Sequence, residues 1–203
     1  MIEILPGVFD YTVHNTDIKH DVHSTFVAGT DLTFLIDPMK PENEVAWFDG
    51  REPKHIYVTN RHHDRGIPWF VETFDCSVWC HESGLHEFEE LDLNVLGFKH
   101  GQMLPGGVVA LEVGVLCPEE TAFLIPAGNG VLAIGDAIIS YDGLGFVPDY
   151  LIGESPEDVK RGMVEKIRSH LDRDFDTLVM AHGAPIVAGA KESLSKFLDG
   201  TGY

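Results

Sequence analysis

The chain has 203 residues, 44% of them apolar and 23% charged, which is enough to bury one sizeable core and too apolar for a disordered polymer. Fourteen Lys and Arg against 33 Asp and Glu leave a formal net charge of −19, a balance that repels phosphate backbones and anionic membrane surfaces and argues against nucleic acid or membrane as partner. The start lacks a basic stretch followed by an apolar one, and no apolar run approaches the roughly 18 residues of a membrane span. The expectation is a cytoplasmic protein built as one domain over 1–203.

Taken in chain order, β-branched or alternating runs at 8–13, 24–28, 32–36 and 55–59 predict a meandering sheet, with turn residues such as Gly29-Thr30-Asp31 between them. Residues 42–48 read as a short helix. Segments 68–74 and 81–91 carry apolar residues at helical spacing around a strand at 77–79. A second β-rich stretch follows at 108–113, 121–125 and 131–134. Ser155-Pro156-Glu157-Asp158 predicts a helix start, with Ser as the cap, Pro in the first turn and acids at the positive helix end. Val159, Met163, Ile167 and Leu171 mark its buried stripe, and a strand at 177–181 and a helix at 189–198 close the chain. Two halves, each running strands and then helix, predict two sheets packed face to face with helices outside.

Cys76 and Cys80 stand at i and i+4 of a strand-like run, roughly 13 Å apart, which is too far for a bridge. With Cys117 they are expected to be three buried free thiols. The sequence holds no G-x-G-x-x-G, G-x-x-x-x-G-K-[ST] or G-x-S-x-G, so dinucleotide, P-loop and serine-hydrolase readings lack their motifs.

Chemistry-bearing residues concentrate in Thr59-Asn60-Arg61-His62-His63-Asp64-Arg65-Gly66, directly after a predicted strand, where side chains converge on a site without breaking a sheet. Ile36-Asp37-Pro38, Gly135-Asp136 and Ala181-His182-Gly183 also follow predicted strands. In this order the chain resembles the metallo-β-lactamase superfamily, from Pro6-Gly7-Val8 almost to the C-terminus. The family pattern is T-H-x-H-x-D-H after a strand, a G-H-T-P-G segment, a G-D and a final G-H-G. Here these become 59–65, 115–119, Gly135-Asp136 and 181–183.

The resemblance implies an α+β fold, the αββα four-layer sandwich. It also implies imidazoles and carboxylates holding Zn or Fe ions, which generate a nucleophile from water near neutral pH and polarise the bond to be cut. Carried over residue by residue, it puts His62, Asp64, Asp136 and His182 at ligand positions. Asn60, Arg65 and Leu116 replace three family imidazoles. The first ion position, Asn60 with His62 and Leu116, is stripped. The second, Asp64 with Asp136 and His182, implies one divalent ion, Zn or Fe. Asn60-x-His62-x-Asp64-Arg65 is similar to the string of the mononuclear carbapenem-hydrolysing subclass, although Asp136 and Leu116 depart from that subclass.

On this reading His62 and Asp64 are catalytic, with His62 positioning or deprotonating water. Arg61, Arg65 and Asn60 bind a small, anionic substrate, since guanidinium pairs bidentately with carboxylate or phosphate. A second role is open to Arg65: replacing a lost ion's charge beside Asp64 or Asp136. His63 falls on a non-ligand position and is expected in solvent, as are the loop carboxylates Glu119 and Glu120. His81 matches a helix-start position, and the motif offers His14, His20 and His23 no role. The functions that remain open are a one-ion hydrolase of a small ester, thioester, amide or phosphoester, a metal-free protein that binds a ligand in the same cleft and, behind these, redox chemistry at an iron site.

Overall fold

The computed structural model describes residues 1–29, 32–42, 45–91 and 93–203. Its first sheet holds seven strands side by side in chain order: β1 (Ile2–Leu5), β2 (Val8–Asn15), β3 (His20–Val27), β4 (Phe34–Ile36), β5 (His55–Tyr57), β6 (Ser77–His81) and β7 (Val95–Phe98). β1 to β4 pair antiparallel and β4 to β7 pair parallel. Parallel neighbours need crossovers. A 3₁₀ turn at Val45–Phe48, helix α1 (Ile67–Phe74) and a 3₁₀ stretch at Glu82–Leu91 lie in these connections.

The rest of the chain supplies β8 (Met103–Leu104), β9 (Val108–Glu112), β10 (Thr121–Ile125), β11 (Val131–Ile134), a small hairpin of β12 (Ile139–Ser140) and β13 (Leu144–Gly145), helices α2 (Asp149–Ile152) and α3 (Pro156–Arg168), β14 (Thr177–Met180) and α4 (Ala190–Gly200). The second sheet runs β14-β11-β10-β9-β8, with β11 and β14 parallel.

Side-chain alternation explains the layers. In β4 all three residues are buried, because Phe34 and Ile36 face the other sheet while Leu35 faces the helical layer. In β11, Val131 and Ala133 pack between the sheets, and Leu132 and Ile134 pack under α3 and α4. Strands buried on both faces read as continuous apolar runs, as these do. Phe48 and Phe70 cover the outer face of the first sheet, and Met163, Ile167, Leu194 and Leu198 cover that of the second. The result is the expected αββα sandwich.

Local details depart from expectation. Residues 82–91 are 3₁₀, because Leu85, Phe88 and Leu91 repeat every three residues and a three-residue turn stacks them on one face. Ser155 does not cap α3 with its side chain. It lies in the left-handed region (φ 57°), and its carbonyl instead accepts from Asp158 and Val159. Leu171 lies beyond the helix end. The expected turn at Thr30-Asp31 and residues 43–44 of the expected short helix fall outside the described residues. Cys76, Cys80 and Cys117 are free and buried.

Candidate functional site

β4 and β5 run parallel in one sheet and β11 and β14 in the other, so the residues just past their C-terminal ends collect at one edge of the sandwich. Asp37, Thr59, Asp136 and His182 occupy those positions. Asp37 adopts φ 46°, a left-handed conformation that Asp tolerates better than most residues. Its buried carboxylate accepts from the Thr59 amide (2.8 Å) and the Thr59 hydroxyl (2.6 Å), and it lies 2.9 Å from His63 Nδ1.

Asn60 shapes the loop that follows. Its side-chain oxygen accepts from the His62 amide (2.9 Å) and its carbonyl from the His63 amide (3.2 Å). This turn sends His62 outward and His63 inward. His63 is buried, with Nδ1 also 2.9 Å from the Thr59 hydroxyl. Its Nε2 lies 3.3 Å from Asp136 Oδ1, and His182 Nε2 lies 3.2 Å from the same oxygen. The other Asp136 oxygen accepts from Asn60 Nδ2 (3.3 Å). Gly135 permits the approach, since a methyl group there would stand 2.3 Å from the Thr59 hydroxyl oxygen. Gly183 (φ 108°) turns the chain after His182, where a methyl group would meet the Ser140 carbonyl at 1.9 Å.

Burial works against a charged His63, but Asp37 and then Asp136 outweigh it and hold the imidazole well above the ordinary histidine value. Burial likewise works against an ionised Asp136, and the neighbouring His63 and His182 hold it well below the ordinary carboxylate value. Glu120 is fully buried. Burial, reinforced by the charge of Asp136, pushes its carboxyl up to about 8, although the Ala137 amide donates to it.

The cluster opens into a cavity of about 700 Å³ lined by Asn60, Arg61, His62, Arg65, Leu116, Glu120, Asp136 and His182, together with an apolar wall from 139–151. The predicted convergence of the 60–65 loop, Leu116, Asp136 and His182 is therefore present. Within it the ligand-type atoms that come together belong to His63, Asp136 and His182, all within 4.8 Å of one another. His62 lies exposed on the cavity wall. Asp64 is half-buried, gives its carbonyl to the Ile67 amide, and has no carboxylate oxygen in the cluster.

Four expectations are corrected. His63 is buried at the centre instead of lying in solvent, because the Asn60 turn rotates it inward. Glu119 and Glu120 are buried instead of solvated, Glu119 lying 3.3 Å from Arg61 Nε. Arg65 is exposed and pairs with neither Asp64 nor Asp136, whose positive neighbours are His63 and His182. Of the N-terminal histidines, His20 reaches the cavity mouth and stacks on Tyr141 (ring centroids 5.1 Å), whereas His14 and His23 pair with Asp21 and Asp10. His81 ends β6 and stacks on His100 at 4.0 Å. The sequence signal for His63 was Asp37, which follows a strand parallel to the one before the histidines.

No protein-family model and no curated protein matches the chain. Solved structures do. The DIM-1 metallo-β-lactamase superposes with a TM-score of 0.74 at 18% identity, over 98% of this chain and 95% of that one. A metallo-β-lactamase family protein from Thermus thermophilus gives 0.71 at 18%, over 98% and 80%. TTHA1623, solved in a di-iron-bound form, gives 0.67 at 22%, over 90% and 96%. At such identities the likeness is one of architecture. With the four layers and the strand order above, it identifies the chain as one with the metallo-β-lactamase fold.

Proposed function

We propose that the chain is a hydrolase working with one divalent metal ion, Zn²⁺ or Fe²⁺, on a small ester, thioester, amide or phosphoester. The observation that carries this reading is the convergence of two imidazole nitrogens and one carboxylate oxygen within 4.8 Å. The donor set fits an ion. His63 Nδ1 is engaged by Asp37 and Thr59, the way a ligating imidazole is usually oriented by a carboxylate behind it. Its Nε2 is buried, faces Asp136 and makes no hydrogen bond of acceptable geometry. Two histidines and one carboxylate suit Zn²⁺ and non-haem Fe²⁺ alike.

Bound there, the ion would supply Lewis acidity, polarising the scissile group and acidifying water. Asn60 fixes the orientation of Asp136 by holding its second oxygen. On this reading His62, exposed on the cavity wall, would take a proton from the attacking water, and Arg65 would meet an anionic group, Arg61 being held by Glu119 and Glu87. Asp64 has no part in this reading. The stripped position offers only the Asn60 amide, the outward His62 and the alkyl chain of Leu116, which supports one ion over two.

The metal-free binding protein is favoured by a different observation. A charged His63 already pairs with both Asp37 and Asp136. The test is hydrolysis of p-nitrophenyl esters and phosphates before and after chelation. Loss with the chelator and recovery at one equivalent of metal supports the hydrolase; turnover indifferent to the chelator, or none with metal restored, contradicts it.

A further inference from the structure

The residues lining the cavity fall into two chemical groups. Arg61 and Arg65 bring guanidinium groups. Arg61 is spoken for, with Nε 3.3 Å from Glu119 and 3.6 Å from Glu87. Arg65 lines the cavity and makes no ion pair or hydrogen bond among the described residues, in a chain with 33 acidic side chains. The lining from 139–151 is apolar and aromatic, and much of it stands in water: Tyr150 is 82% exposed, Leu151 61% and Tyr141 51%, with Ile18 also in the lining.

This wall is held in place from behind. Phe146 packs on Phe197 (centroids 5.2 Å), and Asp149 pairs with Lys160 at 2.7 Å, so the segment carrying Tyr150 is anchored on α3 and α4. Exposed aromatic area lying beside a cavity is the usual mark of a ligand surface. There His20 stacks on Tyr141, with 27° between the ring planes.

From this we infer the substrate class: an aromatic compound carrying a carboxylate or phosphate, the ring between Tyr141 and Tyr150 and the anion on Arg65. This deepens the proposed function and rests on the cavity being its substrate site, but not on the ion. A planar ring gains offset stacking as well as burial against tyrosine, and the planar guanidinium of Arg65 pairs two oxygens at once.

The test is binding of phenylphosphonate, methylphosphonate and hexylphosphonate to the protein as purified, by calorimetry, with metal content measured on the same samples. Phenylphosphonate should bind about tenfold more tightly than methylphosphonate. The double variant Tyr141→Ala/Tyr150→Ala should remove that difference, and Arg65→Ala should weaken both by a similar factor. The tyrosines are mostly exposed, so the fold should survive their loss. Equal affinity for phenyl- and methylphosphonate, or an unchanged ratio in the tyrosine variant, would overturn the assignment. Hexylphosphonate binding as tightly as phenylphosphonate would overturn its aromatic part. A metal-free protein that prefers the aryl probe upholds this inference and sinks the one-ion hydrolase, whereas a metal-loaded protein without the preference does the converse.

Discussion

Two neighbouring groups of residues at the same sheet edge are organised differently. On one side Asp37, Asp136 and His182 follow parallel strands whose hydrogen bonding sets their direction, and His63 is bound into them through Thr59. On the other, Asn60, His62 and Leu116 sit on loops and offer an amide that shapes a turn, an imidazole in solvent and an alkyl chain. Side chains tied to strand ends keep a geometry that chemistry can use; side chains on a turn are re-aimed by one local hydrogen bond.

The largest effect is expected at Asp37. Replacing it with Ala leaves the Thr59 amide, the Thr59 hydroxyl and His63 without their common buried acceptor, and uncovering one member of a buried charge pair costs about 3–5 kcal/mol. Urea unfolding should show a loss of that order, and a change under about 1 kcal/mol would mean that the buried side is not organised by Asp37. Next in size is Gly135→Ala. Its new methyl group would stand 2.3 Å from the Thr59 hydroxyl oxygen, an overpacking expected to cost about 1–3 kcal/mol, and it should also disturb the cluster. Wild-type stability and metal uptake in this variant would show that the two sheets are not closed at that point.

A smaller effect sharpens the contrast between imidazoles. His100, stacked on His81, is pushed by burial down to about 4, whereas carboxylates hold His63 well above the ordinary value. A depressed folded-state value means that His100 favours folding when neutral, so its contribution is complete above the unfolded value of about 6.5 and is lost as pH falls toward 4. His100→Gln should therefore flatten the stability profile between those limits. A variant with the wild-type acid slope would assign the slope to other groups.

Much of this was legible in the sequence for a physical reason. Strands buried on both faces announce themselves as unbroken apolar runs, as 122–125 and 131–134 do, and Asp136, just past the second, was expected at the site and lines the cavity. The half-exposed edge strand β1 and the two-residue strands β8, β12 and β13 carry too few residues to show a period. At the site, Asp136 and His182 were legible because they follow strands directly. His63 was not, since its inward direction depends on an Asn60 turn that spacing alone does not reveal. Glu119 and Glu120 read as loop acids because their burial is set by contacts with Arg61, Gly84 and Ala137, all distant in sequence.

If the proposed ion is held as above, the inward His63, and not its neighbour His62, belongs to its site. Elemental analysis of protein purified without chelator, alongside His62→Ala, His63→Ala and Asp64→Ala, addresses it directly. The account predicts one equivalent of metal in the wild type, in His62→Ala and in Asp64→Ala, with affinity reduced by about 100-fold or more in His63→Ala. Metal retained by His63→Ala but lost from His62→Ala or Asp64→Ala, or two equivalents in the wild type, would contradict it.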